Sequence, residues 1–352
     1  MKKIRAVILA NENSDDHNLW VKACEAFKDQ IEFQIVDLTK NTWLDSIHSQ
    51  QIDILLAKPG GVTSLFKQLY DERIYILSTI LNYRVFPSPD EIYFYENKRF
   101  LSYWLKACKI PHPETNVFYH QKEAAAYLHS THFPIVAKTN IGASGSGVKI
   151  LMTTLEVEKY ISQTFKGKGA PKRIGPNFNI GGILKRAYQY FLNPAKISNK
   201  LEIYRSQKSD PHFGYVIFQE YIPHDFEWRA VRIGNSFFAH KKLKLGEKAS
   251  GSLLKGYDTP PIELLDFIKR ITDQHKLLSI AIDLFETQTG YLVNEMQCIF
   301  GQSDPYQMLV DGKPGRYLSI DNKWIFEEGV FNKNESFNLR IEYVCSLFNV
   351  KG

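Results

Sequence analysis

The chain has 352 residues, 44% hydrophobic and 23% charged; this composition is typical of a globular protein and excludes a disordered or fibrous chain. No run of about 18 apolar residues occurs, which excludes a membrane-spanning helix. The four cysteines form no CxxC pair, so we expect neither a disulfide framework nor a structural zinc site, and we expect a cytoplasmic location.

The net charge of +6 is concentrated in one segment. Residues 164–209 hold ten Lys or Arg and one acid, Glu202, a local charge of +9 that leaves −3 for the rest of the chain. The basic character therefore belongs to this segment alone. Nucleic-acid binding by the protein as a whole is not predicted.

Residues 1–93 alternate between predicted strands and helices. Ile4–Ala10 is a continuous apolar run, as a strand buried on both faces should be, and further strands are predicted over 31–36 and 52–57. Helical spacing over 17–28 separates the first two strands, so a parallel sheet with helical crossovers is predicted. The first turn lacks a GxGxxG motif, which argues against a dinucleotide site there.

An α+β region follows this first unit, and prolines punctuate the boundary. The helix ENKRFLSYWLKACKI opens the region, and a hairpin over 316–326 is predicted near its end. The predicted units are an N-terminal α/β domain (1–93), a small lobe with the basic insertion at about 164–209 (94–215), a large lobe (216–310) and a C-terminal extension (311–352).

A glycine-rich stretch follows the strand that ends at Lys138. Glycine lets backbone N–H groups approach an anion closely, and the lysine adds a full positive charge, so the stretch is a candidate phosphate site. It is neither a Walker loop nor a GxGxxG motif, and the alternative is a plain flexible hairpin tip. Its small residues are Gly142, Ser144, Gly145, Ser146 and Gly147.

Two predicted strands joined by a turn each carry a carboxylate. Asp283 lies on the first strand, and Glu295 and Gln297 lie two residues apart on the second, so the last two share a face. Three oxygen ligands on adjacent strands suit Mg²⁺, which keeps several waters and accepts substrate phosphates for the rest. The alternative is that the carboxylates face solvent.

Two other stretches hold candidate binding residues. The strand that ends in Glu220-Tyr221-Ile222 could present backbone groups to an adenine edge, with Glu227 and Arg229 following for a ribose hydroxyl and a phosphate or carboxylate. The alternative is an ordinary strand with a salt-bridged rim. Lys98, near the start of the aromatic helix, is a further candidate cation, and its alternative is a solvated surface lysine.

Taken in chain order, these motifs resemble those of the ATP-grasp superfamily, and in particular ribosomal-protein glutamyl ligases, glutathione synthetases and D-alanine–D-alanine ligases. The matching segments are ENKR, VAKTN with GASGSGV, QEYI, EWR, and IDLF followed by VNEMQ, within about residues 94–300. The resemblance implies an ATP-grasp fold of the α/β (α+β) class. An N-terminal parallel α/β domain would precede two α+β lobes that enclose the nucleotide.

The resemblance also implies a role for each motif residue. The residues implied to bind ATP are Lys98 and Lys138 (α- and β-phosphates), Gly142, Ser144, Gly145, Ser146 and Gly147 (a mobile loop), Glu220, Tyr221 and Ile222 (adenine) and Glu227 (ribose). The residues implied at the reacting end are Arg229 (γ-phosphate and acyl phosphate), Lys242 (in place of a second arginine) and Asp283, Glu295 and Gln297 (Mg²⁺, or Mn²⁺).

The sequence departs from the family pattern at two points. The third metal ligand is normally Asn, whereas Gln297 keeps the amide oxygen on a longer stem, which leaves its direct coordination of a metal in doubt. The distance from Gly147 to Gln219 is 72 residues, longer than usual, so the basic segment is identified as an insertion. It could cap the site of an anionic substrate, contact an anionic membrane surface, or simply be solvated.

The implied activity is that of an ATP- and Mg²⁺-dependent ligase, which activates a carboxylate as an acyl phosphate and joins it to an amine. Amino acids, peptides or acidic saccharides would be its substrates, and a homodimer would fit a family in which dimers and tetramers are common. Two alternatives stay open at this point. One is an ATP-grasp kinase, and the other is a nucleotide-binding regulator without turnover.

Overall fold

The computed structural model describes residues 2–61, 63–142, 147–167, 169–170, 205–206, 208, 210, 212–245 and 248–349. Ser144, Gly145 and Ser146 lie outside the described residues, as does most of the predicted insertion. Within the described part of the chain, no helix combines the length and the apolar composition that a membrane crossing requires.

The N-terminal unit is a parallel sheet in the strand order β2-β1-β3-β4, as the alternating pattern predicted. Its apolar first strand is buried because it pairs with a neighbour on each side. The elements are β1 (Ile4–Ala10), α1 (Asn18–Ala26), β2 (Ile31–Asp37), α2 (Trp43–His48), β3 (Ile54–Ala57), α3 (Ser64–Tyr75), a π-helical turn (Ile76–Ile80), β4 (Val85–Phe86) and α4 (Pro89–Phe94).

The small lobe is built on an antiparallel sheet in the order β5-β8-β6-β7. The chain leaves the sheet after β7 and returns to its middle as β8. Lys138, at the end of β6, therefore lies opposite Ile217 of β8. The elements are α5 (Lys98–Ala107), β5 (Thr115–Phe118), α6 (Gln121–Ala126), a 3₁₀ turn (Tyr127–His129), β6 (Ile135–Lys138), β7 (Val148–Leu151), α7 (Thr154–Phe165) and β8 (Val216–Glu220).

The large lobe is an eight-stranded sheet whose main path runs β13-β12-β9-β10-β15-β14. Residues 311–352 add β15 and β16 to this same sheet, with β15 pairing antiparallel to β10. The elements are β9 (Phe226–Ile233), β10 (Ser236–Leu245), β11 (Lys248–Gly256), α8 (Ile262–Gln274), β12 (Ser279–Thr287), β13 (Gly290–Gln297), β14 (Leu309–Val310), β15 (Lys313–Ile320), β16 (Lys323–Glu328) and α9 (Phe337–Asn349).

The N-terminal unit, α5 and the large lobe share one hydrophobic core, whereas the sheet of the small lobe has its own core with α6 and α7. Trp20 on α1 packs edge-to-face on Phe337 of α9, with the ring centroids 4.8 Å apart. The buried Glu91 accepts hydrogen bonds from the backbone N–H of Ser88, at the start of α4, and of Ser279, at the start of β12. These contacts join the N-terminal unit to the large lobe.

Candidate active site between two antiparallel sheets

A cleft that opens to solvent, with about 750 Å³ of free space including its mouth, lies between the sheet of the small lobe and that of the large lobe. Nine side chains or backbones singled out in the sequence line it: Lys98, Lys138, Gly142, Glu220, Tyr221, Ile222, Glu227, Lys242 and Glu295. The cavity is also lined by Val136, Val148, Ile150, Gln219, His224, Phe285 and Asn294, which the sequence analysis did not single out. Residues from distant parts of the chain therefore meet in one cleft.

One half of the cavity is apolar. Val136 lies two residues before Lys138 on β6, and Ile150 lies two after Val148 on β7, so strand alternation places each pair on the same face. Phe285 of β12 contributes from the opposite sheet. An apolar slot between two sheets fits a flat aromatic ring.

The other half of the cavity holds lysines and carboxylates. Lys98 Nζ lies 3.4 Å from Glu295 Oε1 and donates to the carbonyl of Gly142 at 3.2 Å. Burial disfavours the charged form of Lys98, but Glu295 and the buried Glu96 outweigh it and raise its pKa. Burial lowers the pKa of Lys138 to about 8, with Lys98 adding to the effect and Glu295 opposing it.

Asp283 is the centre of a buried cluster of charged side chains on the sheet of the large lobe. Arg229 holds it with two hydrogen bonds, Nε to Oδ1 at 2.8 Å and Nη2 to Oδ2 at 2.9 Å. Lys242 Nζ lies 2.8 Å from Asp283 Oδ2 and 2.6 Å from Glu227 Oε2. Burial alone would raise the pKa of Asp283, but Arg229 and Lys242 hold it well below its usual range.

The contacts of Asp283 with Arg229 and Lys242 bear on which of the three predicted metal ligands are free to bind an ion. Glu295 and Gln297 share a face as the spacing predicted, with Gln297 Nε2 3.2 Å from Glu295 Oε1. Asp283 is 2% exposed, so it does not face solvent, and both of its oxygens already contact protein cations. Among the described residues, no group of three His, Cys, Asp or Glu is arranged to hold a metal. Glu295 and Gln297 stay the candidate oxygen donors for Mg²⁺, although Glu295 Oε1 also lies 3.4 Å from Lys98 Nζ, and Asp283 would join them only on releasing a cation.

A β-bulge brings an unpredicted residue into the cleft. Asp283 pairs with Glu295, but the next residue, Leu284, pairs with Val293, so Asn294 is the extra residue on β13. A bulge turns two neighbouring side chains toward the same region, which strict alternation forbids. Glu295 and Asn294 consequently both line the cavity.

The two described ends of the glycine-rich stretch are tied down. Glu96 Oε2 accepts a hydrogen bond from Gly142 N at 2.8 Å, and Asn140 Oδ1 accepts one from the N–H of Arg99 at the start of α5. At the far end, a Cβ on Gly147 would lie 1.7 Å from Thr139 Oγ1, so glycine is required there. The loop therefore begins and ends at fixed points beside Lys98 and Lys138.

The segment after β8 connects the two lobes at the edge of the cavity. The N–H of Glu220 donates to the carbonyl of Glu114 at 2.8 Å, which holds the end of β8 against the small lobe. His224 Nδ1 donates to the carbonyl of Ile222 at 2.7 Å, and its ring lies 4.6 Å from that of Phe285. Nothing in the sequence pattern singles out His224.

No protein-family model and no curated protein matches the chain. Solved structures do. The chain is similar to a RimK domain ATP-grasp protein from Sphaerobacter thermophilus (16% identity, 85% of this chain and 93% of that chain, TM-score 0.51). It is also similar to D-alanine–D-alanine ligase from Bacillus anthracis (14%, 84% and 87%, TM-score 0.50) and to an ADP complex of the N5-carboxyaminoimidazole ribonucleotide synthetase PurK (13%, 86% and 71%, TM-score 0.52).

These likenesses show that the chain has the ATP-grasp fold, and they confirm the fold class that the motifs implied. The parallel N-terminal sheet and the two antiparallel sheets around the cavity are the elements of that architecture in this chain.

Proposed function

We propose that the protein is an ATP-dependent ligase that activates a carboxylate as an acyl phosphate and joins it to an amine. The observation that carries the proposal is the cavity itself. Its lining combines apolar side chains from both sheets with two lysines, Lys98 and Lys138, in a molecule with the ATP-grasp fold.

The nucleotide would lie with its base against the apolar side chains and its phosphates at the two lysines. Its adenine would occupy the slot, with the backbone of Tyr221 and Ile222 at its polar edge and Glu227 at the ribose. Lys98 and Lys138 would hold the α- and β-phosphates, and the loop that Gly142 and Gly147 delimit, with Ser144, Gly145 and Ser146, would close over them.

The reaction would proceed in two displacements. A carboxylate oxygen of the substrate attacks the γ-phosphorus, and ADP leaves with the electron pair of the broken P–O bond. The amine then attacks the acyl carbon, inorganic phosphate leaves, and the amine loses a proton to solvent. Both steps would build negative charge on phosphate oxygens, which Arg229 and Lys242 would offset.

A divalent ion would assist this charge neutralisation. Bound Mg²⁺, or Mn²⁺ in its place, would screen the phosphate oxygens at Glu295 and Gln297. Before a divalent ion binds, Arg229 and Lys242 keep Asp283 ionised, because both contact its carboxylate directly.

Trapping with hydroxylamine tests the proposal. The protein, ATP and Mg²⁺ are incubated with a panel of amino acids, dipeptides and acidic saccharides, and ADP and hydroxamate are measured. We expect one class of acid to give both products at equal rates. ADP formation without hydroxamate would favour a kinase, and nucleotide binding without ADP would favour a regulator.

A further inference from the structure

Asn294 belongs to the large lobe and lines the cavity, and its side chain contacts residues of both lobes. Its Oδ1 accepts a hydrogen bond from Lys138 Nζ of the small lobe at 2.8 Å. Its Nδ2 donates to Glu227 Oε1 of the large lobe at 3.1 Å. One side chain thus spans the distance between the lysine at the phosphate end and the glutamate at the ribose end.

The chemistry of these partners requires an amide. A lysine ammonium only donates hydrogen bonds and a carboxylate only accepts them, so the residue between them must accept on one side and donate on the other. Of the side chains with the size of Asn294, aspartate cannot donate and leucine can do neither. The same partners fix which atom of the amide faces which lobe.

We propose that Asn294 is a positioning residue for the nucleotide, which sets the separation of Lys138 and Glu227 before ATP arrives. This inference rests on the proposed function. Glu227 is held from both sides, by Asn294 at one oxygen and by Lys242 at the other, 2.6 Å away, and it is 6% exposed. A carboxylate fixed in this way loses little further freedom when a ribose hydroxyl binds.

Because the amide of Asn294 is neutral, Lys138 loses only a hydrogen bond to an uncharged oxygen when it turns to the phosphates of a nucleotide. Lys98 starts from an ion pair with Glu295, 3.4 Å apart, whereas Lys138 starts from an uncharged oxygen. The exchange of an amide oxygen for phosphate oxygens requires no ion pair to break. Lys138 is therefore available to the phosphates, while an aspartate at position 294 would compete with them for its charge.

Binding of Mg·ADP, measured by titration calorimetry, tests the proposal in four variants. Asn294→Asp removes the donor and places a second carboxylate beside Glu227, and Asn294→Leu removes both hydrogen bonds. The double variant Glu227→Gln with Asn294→Asp restores a donor opposite an acceptor, because the new glutamine amide can donate to the new aspartate. Asn116→Asp is the matched control, since Asn116 also donates to a glutamate, Glu114, but lies outside the cavity.

We expect each single change at Asn294 to weaken Mg·ADP binding by about tenfold or more, because Glu227 loses the hydrogen bond that fixes its carboxylate before the nucleotide binds. The double variant should bind more tightly than Asn294→Asp alone, although it carries one more substitution, and Asn116→Asp should bind as the unchanged protein does. A general loss of structure could not produce this rescue. Unchanged affinity in the two single variants, or an equal loss of affinity in Asn116→Asp, would overturn the role of Asn294. Failure of the unsubstituted protein to bind Mg·ADP would overturn the proposed function instead.

Discussion

Lys138 Nζ lies 2.8 Å from Asn294 Oδ1, although the two residues are 156 positions apart and belong to different lobes. Lys138 ends β6 of the small lobe, and Asn294 is the bulge residue of β13 in the large lobe. The contact closes the back of the cavity and brings the lysine next to the strand that carries Glu295. Proximity of these two strands is the condition on which a nucleotide site between the sheets depends.

We expect Lys138→Ala to abolish ATP-dependent turnover and to leave the fold intact. Lys138 is a buried cation whose pKa is lowered to about 8, so its removal relieves a desolvation cost and leaves the small-lobe core untouched. ADP formation by coupled assay and thermal unfolding should together show loss of activity at an unchanged melting temperature.

Lys149→Ala is the control for this change. Lys149 lies on the adjacent strand β7, directly opposite Ala137, and its side chain is exposed. Turnover by this variant should match that of the unchanged protein. ADP release by Lys138→Ala at the normal rate would show that Lys138 does not act on phosphates.

The affinity for Mg·ADP should fall as the pH rises above 8. Below that pH the free Lys138 is charged, and bound phosphates favour the charged form, so its pKa is higher in the complex than the value of about 8 in the free protein. Above pH 8 binding must take up a proton, and the Kd should rise by up to about tenfold per pH unit. The charges that face Lys138 and set its pKa are those of Glu295, Lys98, Glu227 and Lys242.

Lys138→Arg separates this effect from other titrations, because arginine keeps its charge throughout the range. Calorimetry between pH 7 and about 9.5 should give a Kd that rises for the unchanged protein and stays level for the arginine variant. A rise of equal size in both proteins would assign the titration to another group.

Asp283→Asn should destabilise the protein by about 3 kcal/mol, because it leaves the buried Arg229 and Lys242 without their common anion. Asp258→Asn is the matched change at an exposed pair, since the Asp258 side chain is 63% exposed and Lys241 Nζ lies 2.6 Å away. That variant should lose at most about 1 kcal/mol. Urea unfolding compares the two, and equal losses would mean that the Asp283 cluster contributes no more than a surface pair.

Gly147→Ala should destabilise the small lobe by about 2 kcal/mol, because the new Cβ would lie 1.7 Å from Thr139 Oγ1 and the turn would have to open. Gly256→Ala serves as the comparison, since its Cβ would meet Lys241 Cβ at an ordinary 3.4 Å. Thermal unfolding should show a lower midpoint only for Gly147→Ala. A normal midpoint for that variant would mean that the turn adapts freely.

The sequence predicted the parts of the fold that local patterns encode. The apolar run Ile4–Ala10 became a buried strand between two neighbours, as its lack of alternation indicated. Val136 could have been found by the same reasoning, because it lies two residues before Lys138 on one strand, and Phe285 lies two after Asp283. In these cases the face of a residue follows from spacing alone.

Other parts of the site depend on partners that spacing cannot supply. Asn294 reaches the cleft only because a bulge shifts the register of β13, and alternation would place it opposite to Glu295. The sequence suggested that Asp283 would either bind Mg²⁺ or face solvent, and its pattern did not show that Arg229 of β9 and Lys242 of β10 contact the carboxylate. The roles of all the candidate site residues stay predictions, including those of the metal residues and of Ser144, Gly145 and Ser146.

A crystal structure with Mg·ADP tests the central claim most directly. We expect density for the adenine between Ile150 and Phe285, and for the phosphates within hydrogen-bonding distance of Lys98 and Lys138, with Lys138 released from Asn294. A nucleotide bound elsewhere on the molecule, with the cleft between the sheets empty at saturating Mg·ADP, would contradict it.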